Sequence, residues 1–184
     1  IFTEAYDDKV AEGMIVSQSI SPNSLVSRED IITFVVSKGK ATIVPNYSNT
    51  NKDTFGSVNS EVNATQLFYY HASVHNGYFL WQSIAAGTNV SDDPMAQVKV
   101  AYSLGRPYIG NEALNLNPKA IEELMFGFNS KGTNISYEIK FTNLVGCQEG
   151  VSYNVSKMNQ YLNMTDHLVF YVGRGCPVEI VETP

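Results

Sequence analysis

The run Ile31-Ile32-Thr33-Phe34-Val35-Val36 constrains the fold of this chain more than any other segment. Its β-branched side chains are stiff at χ1 and crowd a helix, but they fit a pleated strand. An unbroken run of this kind predicts a strand buried on both faces. Comparable signals recur along the chain and are separated by turn chemistry. Ser37-Lys38-Gly39-Lys40 predicts a hairpin turn into Ala41-Thr42-Ile43-Val44, which Pro45 stops. A long segment from Glu61 to Val74 meets Asn76-Gly77, a hairpin dipeptide, and Tyr78 to Ile84 returns from it. Ala96 to Leu104 alternates, with Val98, Val100 and Tyr102 on one face, and Gly105-Arg106-Pro107 closes it. Further strands are expected over 135–142, 167–172 and 178–181. One helix is expected: Asn117 caps it, Pro118 fits its first position, and Ile121, Leu124, Met125 and Phe128 share a face. About eight strands with one short helix, and no alternation of strands and helices, predict an all-β, antiparallel β-sandwich of the immunoglobulin or pilin type. No internal repeat of about 20–50 residues is visible in the sequence.

Length and charge narrow the functional classes. A chain of 184 residues that is 43% hydrophobic suits one domain with an extension. The formal charge of -6 and three widely spaced arginines, Arg28, Arg106 and Arg174, argue against nucleic acid as a partner. No apolar run approaches the length of a membrane-spanning helix, so no membrane insertion is expected of this chain. It begins at Ile1 rather than Met, as a chain secreted after removal of a signal peptide would.

Six Asn-X-Ser/Thr triplets begin at Asn46, Asn63, Asn89, Asn134, Asn154 and Asn163. Each is an acceptor pattern for N-glycosylation, and such acceptors belong on exposed surface in an extracellular setting. Covalent N-linked glycans are therefore expected, and no other cofactor. Cys147 and Cys176 are the only thiols. An even count in that setting suggests one disulfide, with two buried free thiols as the alternative. No Cys or His stands at ligand spacing beside either one, so no metal site is expected.

No catalytic motif is present. The chain has no Gly-X-Ser-X-Gly elbow, no His-Glu-X-X-His and no glycine-rich phosphate loop before a helix. His71 and His75, four apart on a strand, would lie about 13 Å from each other, too far for one ion. The pairs Asp7-Asp8, Asp92-Asp93 and Glu122-Glu123 read as solvated or calcium-touching loop acids, and an enzyme is not expected. Tyr69, Tyr78 and Trp81 form either core packing or the lining of a carbohydrate cleft.

The first 20 residues stand apart. Ile1, Phe2, Met14, Ile15 and Val16 are apolar enough to join a sheet, carry no helical stripe, and precede the turn chemistry of Ser21-Pro22-Asn23-Ser24. The domain expectation is therefore a tail over 1–20 and a head over 21–184. A segment like this adds a strand either to its own domain or to a neighbouring copy. Head-to-tail donation does not close, so it builds a filament of identical subunits. Together, the six triplets, the low charge and residues 1–20 resemble the subunits of archaeal thread filaments. That resemblance implies a small glycosylated β-rich head, a cell-surface filament, and polymerisation by donor-strand complementation through Ile1, Phe2, Met14, Ile15 and Val16. The alternative is a secreted glycoprotein that binds a ligand or carbohydrate.

Overall fold

Strands form where the sequence runs apolar or alternates, and they stop at turn residues. The computed structural model describes residues 1–58, 61–145 and 147–177. Among these the strands are β1 (Phe2–Ala5), β2 (Ile15–Gln18), β3 (Phe34–Ser37), β4 (Asn63–Tyr69), β5 (Phe79–Gln82), β6 (Gln97–Ser103), β7 (Tyr108–Ile109), β8 (Ser136–Thr142), β9 (Ser152–Val155), β10 (Gln160–Tyr161) and β11 (His167–Gly173). One α-helix, α1, spans Pro118–Asn129. The protein is all-β with one short helix, as the strand signals require. The expected strand over 178–181 lies outside the described residues.

Two compact units emerge instead of a tail and a head. The first comprises Ile1–Tyr47, Val58–Thr65 and Gln82–Lys99; the second comprises Ser48–Ser57, Gln66–Trp81 and Val100–Pro184. In the first unit β3 is the centre of a three-stranded sheet, parallel to β1 and antiparallel to β2. Phe2 pairs with Phe34, and their rings stack at 5.5 Å. The Ile1 carbonyl accepts from the Phe34 N–H at 2.9 Å. This corrects the donor-strand expectation. Ile1, Phe2, Met14, Ile15 and Val16 belong to a segment that pairs within its own chain and occupies both edges of β3, which leaves that strand no vacant edge for a neighbour's strand. The apolar composition was read rightly, but it does not encode which copy of the chain supplies the partner. Nor is β3 buried on both faces, since Phe34, Val35 and Val36 are only half-buried.

In the second unit β11 is central, parallel to β8 and antiparallel to β9. Two of the pairings are thus parallel, where the expected sandwich was antiparallel throughout. Helix α1 covers one face of this sheet. Its Ile121, Met125 and Phe128 share a core with Ile135, Val155, Leu168, Phe170 and Val172. The Asn117 side chain accepts from the Ala120 N–H at 2.9 Å, and Pro118 opens the helix, as expected. Cys147 and Cys176 are joined in a disulfide, with Cα atoms 5.7 Å apart.

The third sheet has the order β4-β6-β5. Asn76-Gly77 therefore does not make a hairpin, because β6 lies between the two strands it was expected to join. The Gly77 N–H is taken by the Ser103 carbonyl at 2.7 Å. Likewise Ile43 bridges Asn89 rather than returning along β3.

The two sheets centred on β3 and β11 are copies of one design. In both, the first strand runs parallel to the central third strand and the second runs antiparallel to it. Both have a register irregularity at the same place, at Val16 and at Tyr153. Gly13 N–H to the Ser37 carbonyl at 2.9 Å is matched by Gly150 N–H to the Gly173 carbonyl at 2.8 Å. Ser19 and Thr33 exchange a main-chain bond and a Ser Oγ bond, both at 2.9 Å; Ser156 and Val169 do the same at 2.9 and 2.8 Å. Lys38 N–H bonds the Ala5 carbonyl as Arg174 N–H bonds the Thr142 carbonyl, both at 2.8 Å. In the connecting turns, Asp30 Oδ2 accepts from the Ser27 N–H as Asp166 Oδ2 accepts from the Asn163 N–H. The absence of a visible repeat in the sequence is corrected by these pairings. They are made largely by backbone groups and short polar side chains, which leave little trace in the pattern of apolar residues.

Candidate functional site

A cleft of about 360 Å³ opens in the second unit, lined by Ala72, Ser73, His75, Asn76, Leu104, Gly105, Arg106 and Tyr161. Its floor follows from how β6 ends. Ser103 is buried; its hydroxyl donates to the Val74 carbonyl at 2.7 Å and accepts from the Gly105 N–H at 2.8 Å. Gly105 takes a φ of +75, which a residue without Cβ tolerates, and turns the chain so that Arg106 enters the cleft. The opposite wall is fixed by His71, whose Nδ1 accepts from the N–H groups of Ser73 and Val74 at 3.2 and 3.0 Å. That nitrogen is committed to the backbone. Among the described residues, no group of three His, Cys, Asp or Glu is placed to hold a metal ion.

Arg106 is the charged feature of the cleft. Its Nε donates to the Leu162 carbonyl at 3.3 Å, and its Nη2 lies 3.4 Å from the Tyr161 carbonyl and from Asn163 Oδ1. None of these acceptors is a formal anion, and among the described residues no carboxylate forms an ion pair with Arg106. The guanidinium is therefore oriented but not neutralised, and it retains donors for a ligand. Tyr161 of β10 is 63% exposed and pairs across the strands with Tyr108 of β7, their rings meeting edge to face at 5.2 Å. His75 carries Tyr78 against it, with ring centroids 6.5 Å apart.

The structure redistributes the aromatic residues singled out in the sequence. Tyr69 and Trp81 do meet, with centroids 5.9 Å apart, but they do not line the cleft. Tyr78 reaches its border only through His75. Arg106 and Tyr161 carry the site, and sequence reasoning missed both. The available signal was the bend Gly105-Arg106-Pro107 in a chain with only three arginines.

All six acceptor asparagines are exposed. Asn89 Oδ1 accepts from the Ser91 N–H and hydroxyl at 2.9 and 2.7 Å, so the Asn and Ser of that triplet already touch. Asn163 sits at the cleft, held between Arg106 and Asp166. Ser136 and His167 approach as nucleophile and base would, with Oγ 2.9 Å from Nδ1. The third member is wrong for catalysis. Glu138 is 3.8 Å from the His167 Nε2 and is engaged by Lys140 at 2.8 Å, so it does not orient the ring. Glu138 is held below the usual carboxylate range by that lysine first and by His167 second.

Comparison with known proteins adds a partial family similarity. The family model of the PASTA domain matches residues 1–38, the stretch that forms β1, β2 and β3. The chain is similar to the three-PASTA-domain structure of a Ser/Thr kinase from Staphylococcus aureus, at 19% identity and a TM-score of 0.40, over 94% of this chain and 85% of that one. It is also similar to the entire extracellular region of the Ser/Thr kinase PrkC from the same organism, at 20% identity and a TM-score of 0.33, over 100% of this chain and 64% of that one. No curated protein matches the chain. Residues 1–20, on which the thread-filament resemblance rested, lie within the stretch that the PASTA model matches.

Proposed function

We propose that the chain is an extracellular, non-catalytic binding module whose cleft takes an acidic carbohydrate. The observation that carries this reading is Arg106, an oriented and unneutralised guanidinium beside the exposed ring of Tyr161. Arginine grips a carboxylate with two parallel N–H donors, and an aromatic face supplies the apolar wall that a sugar ring stacks against. Pockets that combine a few fixed polar groups with aromatic lining are the usual form of a small-ligand site. The disulfide supports an extracellular location. So do the six acceptor triplets, each with an exposed asparagine, whose glycosylation belongs to the same proposal, and the PASTA match over residues 1–38 is compatible with it.

Calorimetric titration with glucuronic acid and with glucose tests the site. Glucuronic acid should bind and glucose should not, and Arg106→Ala should weaken binding by about tenfold or more, the loss of a charge-assisted contact. Equal behaviour of the two sugars, or an indifferent Arg106→Ala, would overturn the reading. Glycosylation is checked separately by intact mass: protein from its native source should lose mass on treatment with an N-glycosidase, and an unchanged mass would count against it.

A further inference from the structure

The backbone scheme that frames the Arg106 cleft recurs in the first unit. Asp7 stands where His71 stands: its N–H bonds the Gly39 carbonyl as that of His71 bonds the Gly105 carbonyl, both at 2.9 Å. Its Oδ1 accepts from the Lys9 and Val10 N–H groups, both at 2.8 Å, as His71 Nδ1 accepts from those of Ser73 and Val74. Ser37 repeats Ser103. Each hydroxyl donates to a valine carbonyl, Val10 or Val74, at 2.7 Å and accepts from the N–H of the glycine two residues on. Gly39 and Gly105, with φ values of +78 and +75, then lead into Lys40 and Arg106. A cleft of about 460 Å³ lies at this place in the first unit, and Tyr6, Glu12, Lys38 and Lys40 are among its lining residues. It stands at the Ser37 end of β1 and β3, away from Ile1, whose ammonium bonds the Ile32 carbonyl at 2.9 Å at the other end.

The side chains set on this common frame differ. A Cβ on Gly39 would meet Glu12 at 3.5 Å, as one on Gly105 would meet Asn76 at 3.5 Å, so a carboxylate replaces an amide there. At the end of β11 the same place is shut. Cys147 and Cys176, at the positions of Val10 and Lys40, are joined, and Glu149, at the position of Glu12, spends its Oε2 on the Gly175 and Cys176 N–H groups at 2.7 and 3.2 Å. Glu12 has no such use, and it forms neither an ion pair nor a side-chain hydrogen bond among the described residues. Lys40 pairs only with Glu61, at 4.0 Å, and both side chains are largely exposed, so that pair is weak. Lys38, by contrast, is satisfied: it is engaged by Asp92 and lies over the Tyr6 ring at 4.5 Å.

We propose that this cleft is a second binding site, for a small zwitterion about the size of a dipeptide, with its ammonium on Glu12 and its carboxylate on Lys40. Two opposite charges line one cavity and do not pair with each other, so a ligand carrying both complements satisfies both. A plain anion would meet Glu12 and also Glu4, which lines the same cleft without a partner among the described residues; a plain cation would meet Lys40. The volume is that of a small-ligand pocket. The proposal does not rest on what the Arg106 cleft binds.

The test is a titration of the intact protein with glycylglycine, followed by heteronuclear NMR. Saturable shifts should centre on the amides of Glu12, Gly13, Gly39 and Lys40. N-acetylglycylglycine, which lacks the ammonium, and glycylglycinamide, which lacks the carboxylate, should each bind at least about tenfold more weakly, the scale of a lost charge-assisted contact. Glu12→Gln and Lys40→Gln should each weaken glycylglycine by a similar factor. Both side chains are exposed, so both variants should melt as the parent does; if one fails to fold, the other decides. Absence of shifts, shifts centred elsewhere, equal binding of the three probes, or indifference to the substitutions would overturn the proposal. So would weakening with only one of the two blocked probes, which would make the ligand a plain cation or a plain anion. The readout lies in amides of the first unit, so its failure is distinguishable from failure of the glucuronic acid titration at Arg106.

Discussion

The sheet centred on β3 and the sheet centred on β11 share topology, register irregularity and hydrogen-bond scheme, yet among the described residues only the second contributes its central strand to a fully buried apolar cluster. The difference teaches that the strand design is specified by backbone pairing, while its stability is supplied by whatever layer lies on top. Gly173 and Ser37 show the same lesson on a smaller scale. A Cβ at Gly173 would stand 2.0 Å from the Gln148 carbonyl oxygen and 2.6 Å from the Cys176 sulfur, so the disulfide-closed copy requires glycine there. In the copy without a disulfide the equivalent Ser37 is buried and donates its hydroxyl to the Val10 carbonyl at 2.7 Å.

Substitutions at matched positions can break or sharpen this comparison. The largest contrast is at the centre of each sheet. Phe170→Ala should cost about 3–5 kcal/mol in urea denaturation, as expected for a fully buried ring, while Phe34→Ala should cost well under half of that. Equal losses would mean that the first sheet has a core after all. Next comes the covalent closure. Replacing Cys147 and Cys176 by serine should cost about 3 kcal/mol, given the 29-residue separation they close, and should lower the melting of the second unit before that of the first. A smaller effect is expected at the helix start, where Asn117→Ala should cost about 1 kcal/mol by removing the bond to the Ala120 N–H.

The smallest contrast lies in the matched turns and depends on pH. Asp166 is held below the ordinary carboxylate range by Lys157 first, then by the Asn163 N–H. A lowered folded-state value means that its stabilisation is present above the unfolded pKa, near 4, and is lost as pH falls through the folded value. Asp166→Asn should therefore lower the melting temperature by a few degrees at pH 7 and by nothing near pH 2. Asp30→Asn, at the matched position but with no lysine paired to it among the described residues, should shift it less.

Much of the second unit was legible in the sequence. Asn117-Pro118 and the spacing of Ile121, Leu124, Met125 and Phe128 define α1, and the apolar runs over 135–142 and 167–172 coincide with β8 and β11. Pairing was less legible. The hairpin signal at Asn76-Gly77 is local, whereas the insertion of β6 between β4 and β5 is set by contacts distant in sequence. The duplication was hard to see because its identities are scattered: Glu12-Gly13 with Glu149-Gly150, Ser19 with Ser156, Asp30 with Asp166, Phe34 with Phe170, Val36 with Val172, and Gly39 with Gly175. Those glycines have φ values of +80 and +75, and +78 and +66, so they are kept by conformation and not by packing. The cleft escaped notice because a single arginine in a turn has no periodicity to betray it.

Amide hydrogen exchange on β3 and β11 tests the central claim most directly, because both strands are central to the same hydrogen-bond scheme and differ in cover. The Phe170 and Val172 amides should exchange by global opening and be protected at least about a hundredfold more than those of Phe34 and Val36, which should exchange by local opening. Equal protection of the two strands would contradict the account.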